Sequence, residues 1–238
     1  MATETDLLRL AVEDNIGWCG AVCAANGSQD LLTAGIWVNL KPSPPFYPNV
    51  ITRRPGAQAE VICAIERIRS LYPSCRPAIK DSFADLMLKD HGFERVLQGD
   101  WYGHTCEPQG VKIGGPWARV SSGNELRQWE AAWGEGSGKA IFSDALLSNK
   151  RITFWHQKNA EGIISGFISF RSASSVGLSN WFSTQSTPAL PAGALETARS
   201  NLANLPIVLW SADDLTRDCD GIRKLGPMQI WVTPAPTQ

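Results

Sequence analysis

The chain has 238 residues, 43% of them apolar and 19% charged, with a formal net charge of −1. That composition suits one large core or two modules of about 100–150 residues and excludes a disordered chain. The near-zero charge excludes a general field for nucleic acid or an anionic membrane, so an anion site has to be local.

No apolar run reaches the roughly 18–20 residues that cross a bilayer. The start, Met1–Asp6, is acidic where a secretory signal is basic, so a cytoplasmic, non-membrane protein is expected. Six cysteines at 19, 23, 63, 75, 106 and 219 are scattered, and a chain of this size needs no disulfides. Ten tryptophans are many; core and interface positions are their usual place, a pocket wall the alternative.

Leu7, Leu8, Leu10, Val12, Ile16, Trp18, Cys19, Val22 and Cys23 fit two helices, or one helix interrupted at Gly17 and Gly20. A strand follows around Ile36–Val38, and Lys41–Pro45 ends it because proline has no donor for a ladder. A second strand over 45–51 feeds the turn Arg53-Arg54-Pro55-Gly56-Ala57-Gln58 and then a helix to Leu71. Val61, Ile62, Ile65, Ile68 and Leu71 form its apolar face. A basic, glycine-containing turn at a helix start aims backbone N–H groups and a positive dipole end outward, as phosphate sites do.

A short strand at 77–81 is expected to lead into a helix capped by Ser82 and Asp85, carrying Phe83, Leu86 and Met87, and stopped by Gly92. A strand over 93–102 closes this half, and 103–116 is a glycine- and proline-bearing linker. The second half starts with a helix over 122–133, followed by the glycine-rich loop 134–138. A hairpin over 152–157 and 163–171 and a third strand over 176–182 come next. A helix over 188–202, a strand over 205–210, a short helix over 213–220 and a last strand over 228–233 complete it.

The halves repeat one another. Leu86 falls over Leu215 (215 − 86 = 129), Gly92 over Gly221 (129), Trp101 over Trp231 (130), and Asn49 over Asn180 (131). The shared order is strand, long helix, strand, short helix, glycine, strand. With Trp18 set over Trp129 (111), the first half lacks about one hairpin.

The second half, carried by 152–157, 163–171, 176–182, 192–202, 207–209 and 221–232, resembles the core of the GNAT superfamily of N-acetyltransferases; the first half resembles a shortened copy. The expected fold is therefore α+β: two GNAT-like modules, 1–110 and 117–238, each a mostly antiparallel sheet flanked by helices. The resemblance implies an acyl-CoA such as acetyl-CoA as cofactor, and a small-molecule or peptide amine as acceptor. In that family the pyrophosphate lies on a loop of pattern Gln/Arg-x-x-Gly-x-Gly/Ala. Arg53, Arg54, Gly56, Ala57 and Gln58 match it, except that Gln58 stands where Gly or Ala is expected and Pro55 removes a donor. The corresponding loop 183–188 has Gln185 but no glycine.

Amine acylation needs a polarised carbonyl, a neutral amine and a proton for the leaving thiolate. The family often takes that proton from a tyrosine near the short helix, yet Tyr47, Tyr72 and Tyr102 all lie in the first half. Cys219 is a weak substitute. Asp81, Asp85, Asp213 and Asp214 lie near the expected cleft edge, and helix capping explains them equally well. Asn49 and Asn180 suit a hydrogen bond that tethers a bulge.

No catalytic residue is assigned. Gly177–Trp181 lacks the final glycine of a nucleophile elbow, and 134–140 has the wrong spacing for a phosphate loop. Cys19, Cys23, His104 and Cys106 would bind zinc only if distant segments met, and no metal site is expected. His91 suits a helix C-terminus, and His156 has no partner identifiable by spacing. A non-catalytic relative that binds a ligand or protein partner is the alternative function.

Overall fold

The computed structural model describes residues 3–104, 117–134, 140–184, 190–201, 205–217, 219 and 221–234. Among the described residues four helices pack on a single mixed sheet of eleven strands. The helices are α1 (Glu4–Ala25), α2 (Gln58–Leu71), α3 (Gly123–Trp133) and α4 (Leu190–Asn201). The strands are β1 (Asp30–Leu32), β2 (Ile36–Asn39), β3 (Val50–Thr52), β4 (Ala78–Asp81), β5 (Glu94–His104), β6 (Ala118–Arg119), β7 (Ile152–Asn159), β8 (Gly162–Arg171), β9 (Val176–Ser183), β10 (Ile207–Ser211) and β11 (Ile222–Val232).

Their spatial order is β1-β2-β3-β4-β11-β5-β10-β9-β8-β7-β6. All pairs are antiparallel except β3/β4 and β9/β10. The two halves of the chain interleave at the centre. β11 lies between β4 and β5, and β5 pairs in turn with β10. The expected boundary near 110–117 and most of the expected linker lie outside the described residues.

One face of the sheet carries α1 and α3 over a cluster built on Trp18, Trp129, Phe142 and Phe154. The opposite face carries two separate clusters, one under α2 (Val61, Ile65, Ile68 on Val50, Ile79 and Trp231) and one under α4 (Ala194, Leu195, Ala198 on Val176, Leu178 and Leu209). Strand alternation produces this division: Val50 and Ile79 point to α2, while Ile51 and Lys80 point to α1.

Several sequence expectations are corrected. Residues 4–25 form one uninterrupted helix with a capping box between Thr3 and Asp6. Gly17 and Gly20 allow close approach instead of breaking it: a Cβ at Gly17 would lie 2.6 Å from the Phe170 ring. The second strand is shorter than 45–51 and begins at Val50, after a loop in which Phe46 is left-handed (φ 69°).

The helix expected after Ser82 does not form; only Lys89–His91 makes a 3₁₀ turn. Asp81 accepts the N–H groups of Phe83 and Leu86 instead, Met87 N–H goes to Gln58, and Ala84 is left-handed (φ 55°). Leu86 and Leu88, both buried, hold the resulting loop in the α2 cluster, and Ser82 Oγ caps nothing. Gly92 is left-handed as expected (φ 80°). The short helix over 213–220 is a 3₁₀ turn at Leu215–Arg217, and the last strand starts at Ile222, six residues before the expected 228.

Candidate functional site

The parallel pair β9/β10 holds register only from Val176↔Ile207 to Leu178↔Leu209. Beyond that β9 stays with β8 and β10 with β5, so the two strands part at Ser179 and Trp210. At the same point β9 bulges: Gly166 faces Phe182 and Ile168 faces Ser179, which leaves Asn180 and Trp181 opposite the single residue Phe167. Asn180 is left-handed (φ 51°), a conformation asparagine tolerates better than most residues. A bulge interrupts the ladder and frees backbone polar groups.

The first half lacks such an opening. Asn49 N–H bonds Ala78 O at 2.7 Å, Val50 and Ile51 pair with Ile79 and Lys80, and Ser82 N–H bonds Thr52 Oγ1 at 2.7 Å. The Asn49 side chain stitches this region closed, donating to Asn39 O and Lys41 O.

A cavity of about 640 Å³ opens at the parting of β9 and β10. Its walls come from both halves: Ser179, Asn180, Trp181 and Trp210 from one, Trp18, Phe46, Tyr47 and Lys80 from the other. Half-buried Trp133 adds a further indole. Trp133, Trp181 and Trp210 thus supply pocket surface, whereas Trp37, Trp101 and Trp129 are fully buried.

Tyr47 lies deep in this wall, edge-on to Trp18 with ring centroids 6.1 Å apart. Its hydroxyl is buried against Asn180 and Trp18 without a hydrogen bond of normal geometry. Burial pushes its pKa well above the ordinary tyrosine value, so it stays protonated. Lys80, 4% exposed, donates to Asn15 Oδ1 at 2.9 Å and sits 4.6 Å from the Trp210 ring centre. Its pKa falls to about 8 through burial. Cys19 in the same wall is pushed up to about 11, so it is a neutral thiol.

The residues singled out by the loop pattern have internal partners. Arg53 pairs with Glu13 at 2.8 Å and also bonds Thr33 O; Arg54 pairs with Glu60 at 2.8 Å. Gly56 N–H donates to Asp85 Oδ2 at 2.7 Å, Ala57 is buried, and Gln58 bonds both backbone groups of Met87. Two carboxylates, Glu60 and Asp85, therefore stand at this turn.

Asp81 accepts N–H groups of its own loop, and Asp214 caps Thr216. Asp213 is an exposed rim residue of the cavity. Cys219 is buried in the α4 cluster. Cys19 and Cys23 are buried, Cys106 is outside the described residues, and no metal-binding group of three ligands occurs among the described residues. His156 lies 3.2 Å from Glu125, and burial lowers its pKa.

Sequence reasoning missed Lys80 and paired Tyr47 with nothing. A lysine between Ile79 and Asp81 in a buried strand was the available signal; the approach of Tyr47 to Asn180 is long-range and leaves none.

The fold as a whole matches solved structures across most of the chain. The fold is that of the GCN5-related N-acetyltransferases. One such enzyme from Kribbella flavida superposes with a TM-score of 0.58 at 13% identity, covering 94% of this chain and 96% of its own. A second, from Sphaerobacter thermophilus, gives 0.53 at 11% identity, covering 79% and 74%. A conserved protein of unknown function from Staphylococcus epidermidis gives 0.60 at 10% identity, covering 87% and 94%. No protein-family model matches the sequence, and no curated protein matches it. The GNAT fold is thus common to these proteins with little sequence in common.

Proposed function

We propose that the chain is an acyl-CoA-dependent N-acyltransferase acting on a small amine. The carrying observation is the coincidence of the β9/β10 parting, the Asn180 bulge and the aromatic cavity at one place. That slot fits the thioester arm of an acyl-CoA better than the turn at Arg53–Gln58, where Glu60 and Asp85 already take up the donors. When bound, the cofactor supplies an acyl group activated as a thioester.

The protein's part is positioning. The interrupted ladder at Asn180–Trp181 offers backbone N–H to a carbonyl oxygen, the arrangement that stabilises developing negative charge. Tyr47, kept protonated, offers an O–H donor beside it. The tryptophans exclude water and leave a neutral amine a dry approach.

We further propose that 1–110 and 117–238 are two GNAT-like halves that share one site. Gly99 of β5 pairs with Met228 of β11, and 228 − 99 = 129 is the repeat offset found in the sequence. In this arrangement the first half supplies the tyrosine that the second lacks. The opening at β9/β10, absent at β3/β4, favours catalysis in one half only.

The test is thermal unfolding with and without acetyl-CoA, followed by thiol release from a panel of amines. Stabilisation by CoA and amine-dependent thiol release are expected. No shift at millimolar CoA would remove the proposal; a shift without turnover would favour a ligand-binding relative.

A further inference from the structure

Burying a cation is costly unless a counter-charge or a bound ligand meets it. Lys80 is buried on the α1-facing side of β4, in the wall of the cavity, and among the described residues it forms no ion pair. Its ammonium has three N–H donors, of which Asn15 Oδ1 takes one at 2.9 Å. The Trp210 and Trp101 rings, 4.6 and 5.7 Å away, offer only their faces. The neighbouring thiol of Cys19 is neutral. Asn15 also lines the cavity and spends its side-chain oxygen on Lys80, which leaves its amide N–H₂ for an acceptor.

Among the described residues no other lysine or arginine lines this cavity. A single positive charge beside an amide donor suits a monoanionic carboxylate; a phosphate dianion is normally met by more cations or by a backbone cradle. Around it stand Trp18, Phe46, Trp133, Trp181 and Trp210, surfaces for an apolar body.

We propose that Lys80 and Asn15 anchor a carboxylate in this cavity, and that the acyl acceptor is a hydrophobic amino acid. The carboxylate anchor stands on the cavity alone; the acceptor role rests on the acyltransferase reading above. The amine of such a ligand would stay free for acylation, its side chain lying among the indoles.

The experiment is calorimetric titration of the full chain, without CoA, with L-phenylalanine, 3-phenylpropionate and phenethylamine. The two carboxylates are expected to bind, and phenethylamine, which has no group for the anchor, at least about tenfold more weakly. Lys80→Met should weaken both carboxylates at least about tenfold without weakening phenethylamine, with far-UV circular dichroism and unfolding temperature confirming its fold.

Phenethylamine bound as tightly as phenylalanine, carboxylates that fail to bind at millimolar concentration, or a folded Lys80→Met that binds them like the wild type would each overturn the anchor. If Lys80→Met does not fold, the three compounds on the wild type still decide. Carboxylate binding by a protein that CoA does not stabilise keeps the anchor and removes the acyltransferase reading. Amine-dependent turnover with no carboxylate preference does the reverse.

Discussion

The buried hydroxyl of Tyr47 abuts Asn180, the left-handed residue of the β9 bulge, although the two belong to opposite halves of the chain. A donor that is buried and unsatisfied costs free energy in the resting protein. Tyr47→Phe should therefore leave stability unchanged or raise it by up to about 1 kcal/mol. On the proposed acyltransferase reading the hydroxyl serves the reaction and not ground-state binding, so Tyr47→Phe should also lower kcat roughly 10²-fold with little effect on KM. Unfolding curves and steady-state kinetics on one preparation check both; a lower melting temperature with normal kcat would assign Tyr47 to packing alone.

Arg53 separates two placements of the cofactor. Its pair with Glu13 is partly exposed, and such pairs contribute about 0–1 kcal/mol. Arg53→Ala should cost no more than that, and the stabilisation by CoA, about 2.7 kcal/mol at 100 times Kd, should persist. Loss of that stabilisation would place the pyrophosphate at the 53–58 turn.

Asp14 on α1 governs a pH effect. Burial raises its pKa to about 7; Oδ2 accepts the Ser175 hydroxyl at 2.7 Å, and Oδ1 has no hydrogen-bond partner among the described residues. Between the unfolded value of 3.8 and about 7 the folded state holds a proton that the unfolded state has lost, so stability falls as pH rises through this window. Asp14→Asn cannot ionise. Its stability relative to wild type should climb from pH 4 to 7 and then level off, by about 4 kcal/mol at most. His156, with a lowered pKa, works in the opposite direction near the ordinary histidine range, so the difference between the two proteins isolates Asp14. Chemical denaturation at four or five pH values suffices, and a pH-independent difference would be the contrary result.

Gly99 tests the centre of the sheet. A Cβ there would lie 2.5 Å from the Ser211 carbonyl oxygen, backbone on β10 that cannot swing aside. Gly99→Ala should cost about 1–3 kcal/mol. Equilibrium unfolding reads this directly, and an unchanged midpoint would mean that β5 and β10 separate easily.

Elements with a strong local signature were legible in the sequence. Alternation located β7, β8 and β9, and the period of Val61, Ile65 and Ile68 located α2. The stretch after Asp81 misled because capping residues and a C-terminal glycine were all present, while Asp81 itself took the N–H groups a helix would have used. The interleaving of β5 and β11 carries no local signal, because either strand could pair within its own half. The site was less legible still. Arg53–Gln58 fits a loop pattern, but its partners Glu13 and Asp85 come from elsewhere in the chain. The neighbours that make Lys80 unusual come from α1 and β10.

The place of β11 between β4 and β5 sets a timetable for biosynthesis. A ribosome delivers every other strand of the sheet before this one, so β4 and β5 wait with a gap between them and an unpaired edge on each. Such edges invite mispairing or a chaperone until the final segment arrives. The cavity, whose lining includes Ile230 and Val232, is complete only once this strand is in place, so β11 has to dock before the site can receive any ligand.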